Sequence, residues 1–119
     1  MRLVDSFGYA FSGLRHAWAC EANLRVHLIA AAGVIVCAGG LGLSYLEVSV
    51  LVLCCALVVA AELFNTAVER LADRVTTAQD PLIGQCKDVA AAAVLTCACG
   101  SSAVGLMLLG PPLWRLVRG

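Results

Sequence analysis

Three charge-free apolar runs, residues 28–43, 48–61 and 89–109, take up much of this 119-residue chain. A segment of this kind can bury itself either in a large protein core or in lipid, and 119 residues cannot build a soluble core around three of them. Composition agrees: 61% of the residues are hydrophobic and only 13% charged, far from the even mixture of a soluble domain. The expected fold class is therefore all-α and integral to a membrane. Residues 1–21 lack the unbroken apolar core and small-residue cleavage site of a secretory signal, so the spanning helices themselves are expected to direct insertion.

The chain reads as a single domain. From Arg2 to Trp18, residues Leu3, Phe7, Phe11, Leu14 and Trp18 share one helical face, while Arg2, Asp5, Ser6, Ser12 and His16 lie opposite. This is the pattern of an amphipathic helix lying on a membrane surface, expected over residues 1–20. Spanning helices are expected over 24–44, 46–74 and 81–110. The first apolar run has sixteen residues, slightly short for a hydrocarbon layer of about 30 Å, so its flanks should extend it. Gly39, Gly40 and Gly42 weaken its far end, and Ser44 to Glu47 has the S-x-x-E form of a capping box that opens the next helix. Val75 to Gln79 reads as a polar loop. Asp80 then caps a third helix with Pro81 at its first position, and Pro111 and Pro112 are expected to stop it.

Eight basic and eight acidic residues cancel, so no bulk charge points to nucleic acid. Their placement is more telling. Arg2, Arg15, Arg25, Arg70, Arg74 and Lys87 flank one membrane face and only Arg115 and Arg118 the other, which places the N-terminus in the cytoplasm. The seven cysteines, at 20, 37, 54, 55, 86, 97 and 99, have neither zinc-site spacing nor a loop-rich setting and are read as small buried hydrophobes. Ala93, Cys97, Ser101 and Gly105 recur every four residues, a small-residue stripe suited to close helix approach.

The candidate chemistry lies on the second spanning helix. Glu62, Asn65, Glu69 and Asp73 fall within about 80° of one another on a single helical face. An ionised carboxylate near the bilayer centre costs roughly 3 kcal/mol on insertion scales, so packing alone does not explain the stripe. A plainer account has the helix leave the hydrocarbon by Asn65, with the later acids solvated and paired to Arg70 and Arg74. Glu21 and Arg25 have the spacing of an ordinary intrahelical pair. Yet Glu21, Glu69, Lys87 and Asp88 all fall near the cytoplasmic face, where two carboxylates can hold Mg²⁺ and the chain's one lysine can meet phosphate oxygens. No Walker-type loop or G-x-G-x-x-G is present, so phosphate handling would fall to side chains.

These elements resemble a known family. The segments Gly8 to Arg15, Glu21 to His27, Glu62 to Glu69 in the form E-x-x-N-x-A-x-E, and Lys87-Asp88 are similar to the small bacterial diacylglycerol kinases and undecaprenol kinases, and together they cover nearly the whole chain. The resemblance implies a homotrimer in the bacterial inner membrane, each subunit a surface helix plus three spanning helices, with active sites shared between subunits. It implies phosphorylation by ATP, with Mg²⁺, of the hydroxyl of a membrane lipid alcohol, in phospholipid or envelope-lipid recycling. Carried over by motif, Glu62 would be the general base and Asn65 would orient the reacting groups. Glu21 and Glu69 would hold the metal. Lys87 and Asp88 would contact the nucleotide, together with Arg2, Tyr9, Ala78, Gln79 and Asp80. Arg15, Arg25 and Glu62 would face the lipid substrate. Arg25-Val-His27-Leu28 and Asp80-Pro81-Leu-Ile resemble the undecaprenol branch more than the diacylglycerol branch; His27 itself reads equally as a lipid contact or as an interfacial histidine bonded to a neighbour.

Two other classes compete. A small oligomeric proton-coupled transporter would use Glu62 but leaves the gathering of Glu21, Glu69, Lys87 and Asp88 at one face unexplained. A noncatalytic assembly subunit would use the small-residue stripe and leave the acidic one without a role.

Overall fold

The computed structural model describes residues 2–119, so Met1, the first residue of the expected surface helix, lies outside the description. Four helices follow one another: α1 (Leu3–Cys20), α2 (Ala22–Gly40), α3 (Tyr45–Val75) and α4 (Pro81–Arg118). Three of them, α2, α3 and α4, are long and apolar enough to cross a membrane.

The breaks between helices follow from local chemistry. A single extended residue, Glu21, separates α1 from α2; its backbone N–H still donates to the Ala17 carbonyl at 2.8 Å. The α2/α3 turn is a Schellman motif. The Leu43 N–H reaches back to the Ala38 carbonyl and the Gly42 N–H to that of Gly39, both at 3.2 Å, with Gly42 at φ +71°. Gly42 alone of the three glycines adopts the left-handed conformation, and this ends α2 at Gly40, short of the expected residue 44. The capping box then opens α3: Ser44 Oγ accepts from the Glu47 N–H at 3.2 Å while Glu47 Oε1 accepts from the Ser44 N–H at 3.1 Å. Asp80 Oδ1 likewise caps α4, accepting from the N–H groups of Leu82 and Ile83 at 3.0 and 3.1 Å.

Pro111 and Pro112 do not stop α4, which continues to Arg118. A proline ring holds φ near the helical value; what two prolines remove is two donors, those that would have reached the carbonyls of Met107 and Leu108. The helix therefore carries a weakened point near its end.

α3 packs between α2 and α4, and α1 rests against the α2/α3 pair. Few side chains are buried: Leu24, Ala38, Leu51, Val58, Ala17 and Ala72, with Glu62 and Thr66 as the buried polar residues, and no residue of α4. So much exposed apolar surface belongs with a lipid environment. The cysteines are a correction to the sequence reading, since none of the seven is buried: Cys20, Cys86 and Cys99 are exposed and the others half-buried. A three-helix layer has no interior deep enough to cover them.

The lengths explain what α3 presents. Its 31 residues span about 46 Å, well beyond a hydrocarbon core of about 30 Å, so one end of the helix must emerge. The charged end, Glu69 to Arg74, is the part that emerges at least solvation cost.

Candidate active site

The acidic stripe of α3 divides into three environments. Glu62 is its most enclosed member, 4% exposed, and its Oε1 lies 3.1 Å from Nε2 of His27 on α2. Thr66, one turn on, is also buried and donates its hydroxyl to the Glu62 backbone carbonyl at 2.9 Å, leaving the Glu62 carboxylate to His27. A carboxylate this enclosed, with His27 as its one ion-pair neighbour, retains an oxygen able to take a proton from a hydroxyl.

Asn65, at one edge of the stripe, lines an open apolar groove of about 990 Å³ between α3 and α4, with Leu57, Phe64, Val68, Val89 and Cys97 among others. Its Oδ1 is buried without a hydrogen-bond partner. An unsatisfied buried oxygen costs roughly 1–3 kcal/mol, so it is a ready acceptor for any donor entering the groove.

Further along, Glu69 and Asp73 converge on Lys87 of α4. The Lys87 ammonium lies 2.6 Å from Asp73 Oδ1 and 3.5 Å from Glu69 Oε2. Lys87 and Glu69 are partly exposed and Asp73 is exposed, so the cluster is open to solvent. Beside it the loop residues Thr76, Thr77, Ala78, Gln79 and Asp80 meet Lys87 around a polar recess of about 470 Å³. The Ala78 N–H donates to Thr76 Oγ1 at 3.0 Å, which shapes this loop.

The expected site residues are thus partly assembled. Glu69 and Lys87 meet directly, and Lys87 shares one recess with Ala78, Gln79 and Asp80. Glu62 stands two turns, about 10.5 Å of helix, from Glu69. Arg25 does not pair with Glu21; its guanidinium donates to the carbonyls of Trp18 at 2.6 Å and Ala19 at 3.4 Å, capping the end of α1. Among the described residues, no hydrogen bond or ion pair ties the side chains of Tyr9, Arg15, Glu21 or Asp88 to the cluster, and the backbone N–H of Arg2 donates to Asp5 at the start of α1. Ser101, from the small-residue stripe, donates to the Cys54 carbonyl at 3.2 Å, so part of the stripe packs α4 on α3.

Two relationships went unread in the sequence. Asp73 pairs with Lys87 in place of Arg70 or Arg74. The available signal was symmetry: both residues stand seven positions from Asp80, on the two arms of a helical hairpin. The His27–Glu62 contact has a similar origin, since the two residues lie at comparable distances either side of the α2/α3 turn.

Comparison with known proteins identifies the family. Residues 8–109 match the model of the family described as prokaryotic diacylglycerol kinase. A diacylglycerol kinase of Synechocystis is 40% identical over 97% of this chain, which covers 66% of that protein's length. The undecaprenol kinase of Bacillus subtilis is 34% identical over 94% of this chain and 91% of its own length. The diacylglycerol kinase of Escherichia coli K12 is 34% identical over 79% of this chain and 77% of its own. With a family match across most of its length and relatives at this identity, the chain belongs to the prokaryotic diacylglycerol kinase family, a family of lipid kinases.

Proposed function

We propose that this protein transfers the γ-phosphate of ATP to the hydroxyl of a membrane lipid alcohol, either undecaprenol or diacylglycerol. The observation that carries the reading is the layout of α3, which bears one buried carboxylate at Glu62 and, two turns on, the Glu69–Lys87–Asp73 cluster beside a polar recess. A lipid hydroxyl held at membrane depth and a nucleotide held at the interface would meet along this helix.

In the proposed reaction the lipid oxygen attacks the γ-phosphorus, the bond to the β-phosphate oxygen breaks, and ADP leaves. Glu62 accepts the hydroxyl proton. Asn65 Oδ1, unsatisfied and one turn away, orients the reacting groups. Lys87 exchanges its carboxylate partners for phosphate oxygens, with Asp88, Arg2, Tyr9 and the 78–80 loop around the nucleotide. Arg15 and Arg25 stand toward the lipid substrate. Such transfer depends mainly on positioning and charge neutralisation, and this set of side chains supplies both.

Glu21 and Glu69 are the residues that would hold Mg²⁺. They fit it: both are hard oxygen donors, both retain exposure, and this ion is commonly bound by one or two carboxylates plus substrate phosphates and water. Bound with ATP, the metal would neutralise phosphate charge.

The same reading takes the assembly as a homotrimer in the bacterial inner membrane, with the N-terminus and sites on the cytoplasmic side and α1 lying on the surface as an amphipathic helix. The exposed apolar side chains Leu3, Phe7, Phe11 and Trp18 of α1 support that placement. Chemical crosslinking in lipid nanodiscs should stop at three subunits. A transporter is not favoured, because Glu47 at the opposite cap and Glu62 are separated by an uncharged stretch and the remaining charges of α3 cluster from Glu69 to Arg74, leaving no polar path through the membrane.

The test is transfer of labelled γ-phosphate from ATP to undecaprenol and to diacylglycerol in parallel, with wild type and the Glu62→Gln and Glu69→Gln variants. Mg²⁺-dependent labelling lost in both variants is expected, and the better-labelled lipid names the acceptor. Absence of lipid labelling by folded oligomers would overturn the proposal.

A further inference from the structure

His27 is the one side chain among the described residues that meets the Glu62 carboxylate. Its Nε2 lies 3.1 Å from Oε1, with Glu62 5% and His27 29% exposed at the side chain. A carboxylate oxygen can only accept, so an imidazole that carries its proton on Nε2 is placed to donate to Oε1 at this distance. His27 also lines an apolar cavity of about 520 Å³ among α2, α3 and α4, with Ala30, Val34, Val58 and Ser101. In such surroundings a hydrogen bond is electrostatically stronger than in water.

We propose that His27 is a positioning residue for Glu62: by holding Oε1 it fixes the carboxylate rotamer and leaves Oε2 as the oxygen that takes the lipid hydroxyl proton. This rests on the reading of Glu62 as the base. A glutamate has three side-chain torsions, and α3 by itself does not determine the last of them. Two restraints do: the burial of the stem and the 3.1 Å contact with His27 of α2. The contact spans two helices, so the base is set by the packing of α2 on α3 and not by α3 alone. A displacement of about 1 Å in a reacting group costs on the order of 10²-fold in rate.

The experiment compares steady-state phosphorylation by the full-length protein, reconstituted with undecaprenol or diacylglycerol, for wild type, His27→Gln, His27→Asn and His27→Leu. Glu62→Gln is measured beside them, and monodispersity and helical content are checked for each. Gln can still donate at the reach of Nε2; Asn is too short and Leu cannot donate. The expected result is kcat within about fivefold of wild type for Gln and reduced on the order of 10²-fold for Asn and Leu, with the KM for ATP unchanged in all three. Leu or Asn at wild-type kcat, or Gln as impaired as Leu, would overturn the positioning role. Should Leu fail to fold, the Gln and Asn pair carries the comparison by itself. Retained activity in Glu62→Gln would instead overturn the parent reading, so the two failures are distinct.

Discussion

The His27 imidazole of α2 and the buried Glu62 carboxylate of α3 meet at 3.1 Å across the interface of the first helical hairpin. The contact gives a carboxylate only 4% exposed in a membrane helix a polar neighbour on the adjacent helix, in place of part of what water would otherwise give. It also makes the environment of this carboxylate a property of two packed helices.

Glu62→Gln keeps the shape of the side chain and an oxygen that can still accept from His27, but removes the basic oxygen. The expected result is an intact, monodisperse protein whose kcat for lipid phosphorylation falls by roughly 10²- to 10⁴-fold. Radiolabel transfer and size-exclusion chromatography on one preparation check both halves.

Lys87→Met leaves Glu69 and Asp73 facing each other without their shared cation. Exposed ion pairs contribute little to stability, so the thermal midpoint should move by only a few degrees. The KM for ATP should rise at least tenfold. Asp73→Asn, which removes only one of the two anions beside Lys87, should affect the KM less than Glu69→Gln does.

Asp80 has two separable roles, capping α4 and lining the recess. Asp80→Ala should destabilise the helix by about 1 kcal/mol, whereas Asp80→Asn retains the cap and should leave thermal unfolding nearly unchanged. Any rise in the KM for ATP shared by both variants then reports the recess and not the cap.

Pro111→Ala and Pro112→Ala each restore a donor within a helix that already continues past them. Because interior prolines destabilise helices, both substitutions should raise the midpoint of thermal unfolding in detergent. Phosphorylation should be unaffected, since these residues lie at the far end of α4 from Lys87.

Much of the fold was legible because membrane helices announce themselves locally. The apolar runs, the Ser44–Glu47 capping box and the Asp80-Pro81 start each depend on residues within a few positions of one another, and all three appear where expected. The ends were less legible. The glycines near residue 40 marked a weak point without saying which would turn left-handed, and Pro111-Pro112 marked a stop that a mostly bonded helix passes through.

The sequence by itself determined that α3 carries a one-sided stripe of Glu62, Asn65, Glu69 and Asp73, because helical periodicity is a local geometric fact. Only the tertiary structure decided what each member of that stripe meets: His27 for Glu62, an unsatisfied place in the α3/α4 groove for Asn65, and Lys87 for Glu69 and Asp73. Those partners arrive from other helices, and their register depends on how tightly the turns at 41–44 and 76–80 close and on how the apolar faces pack. A spacing along one chain segment does not encode that register.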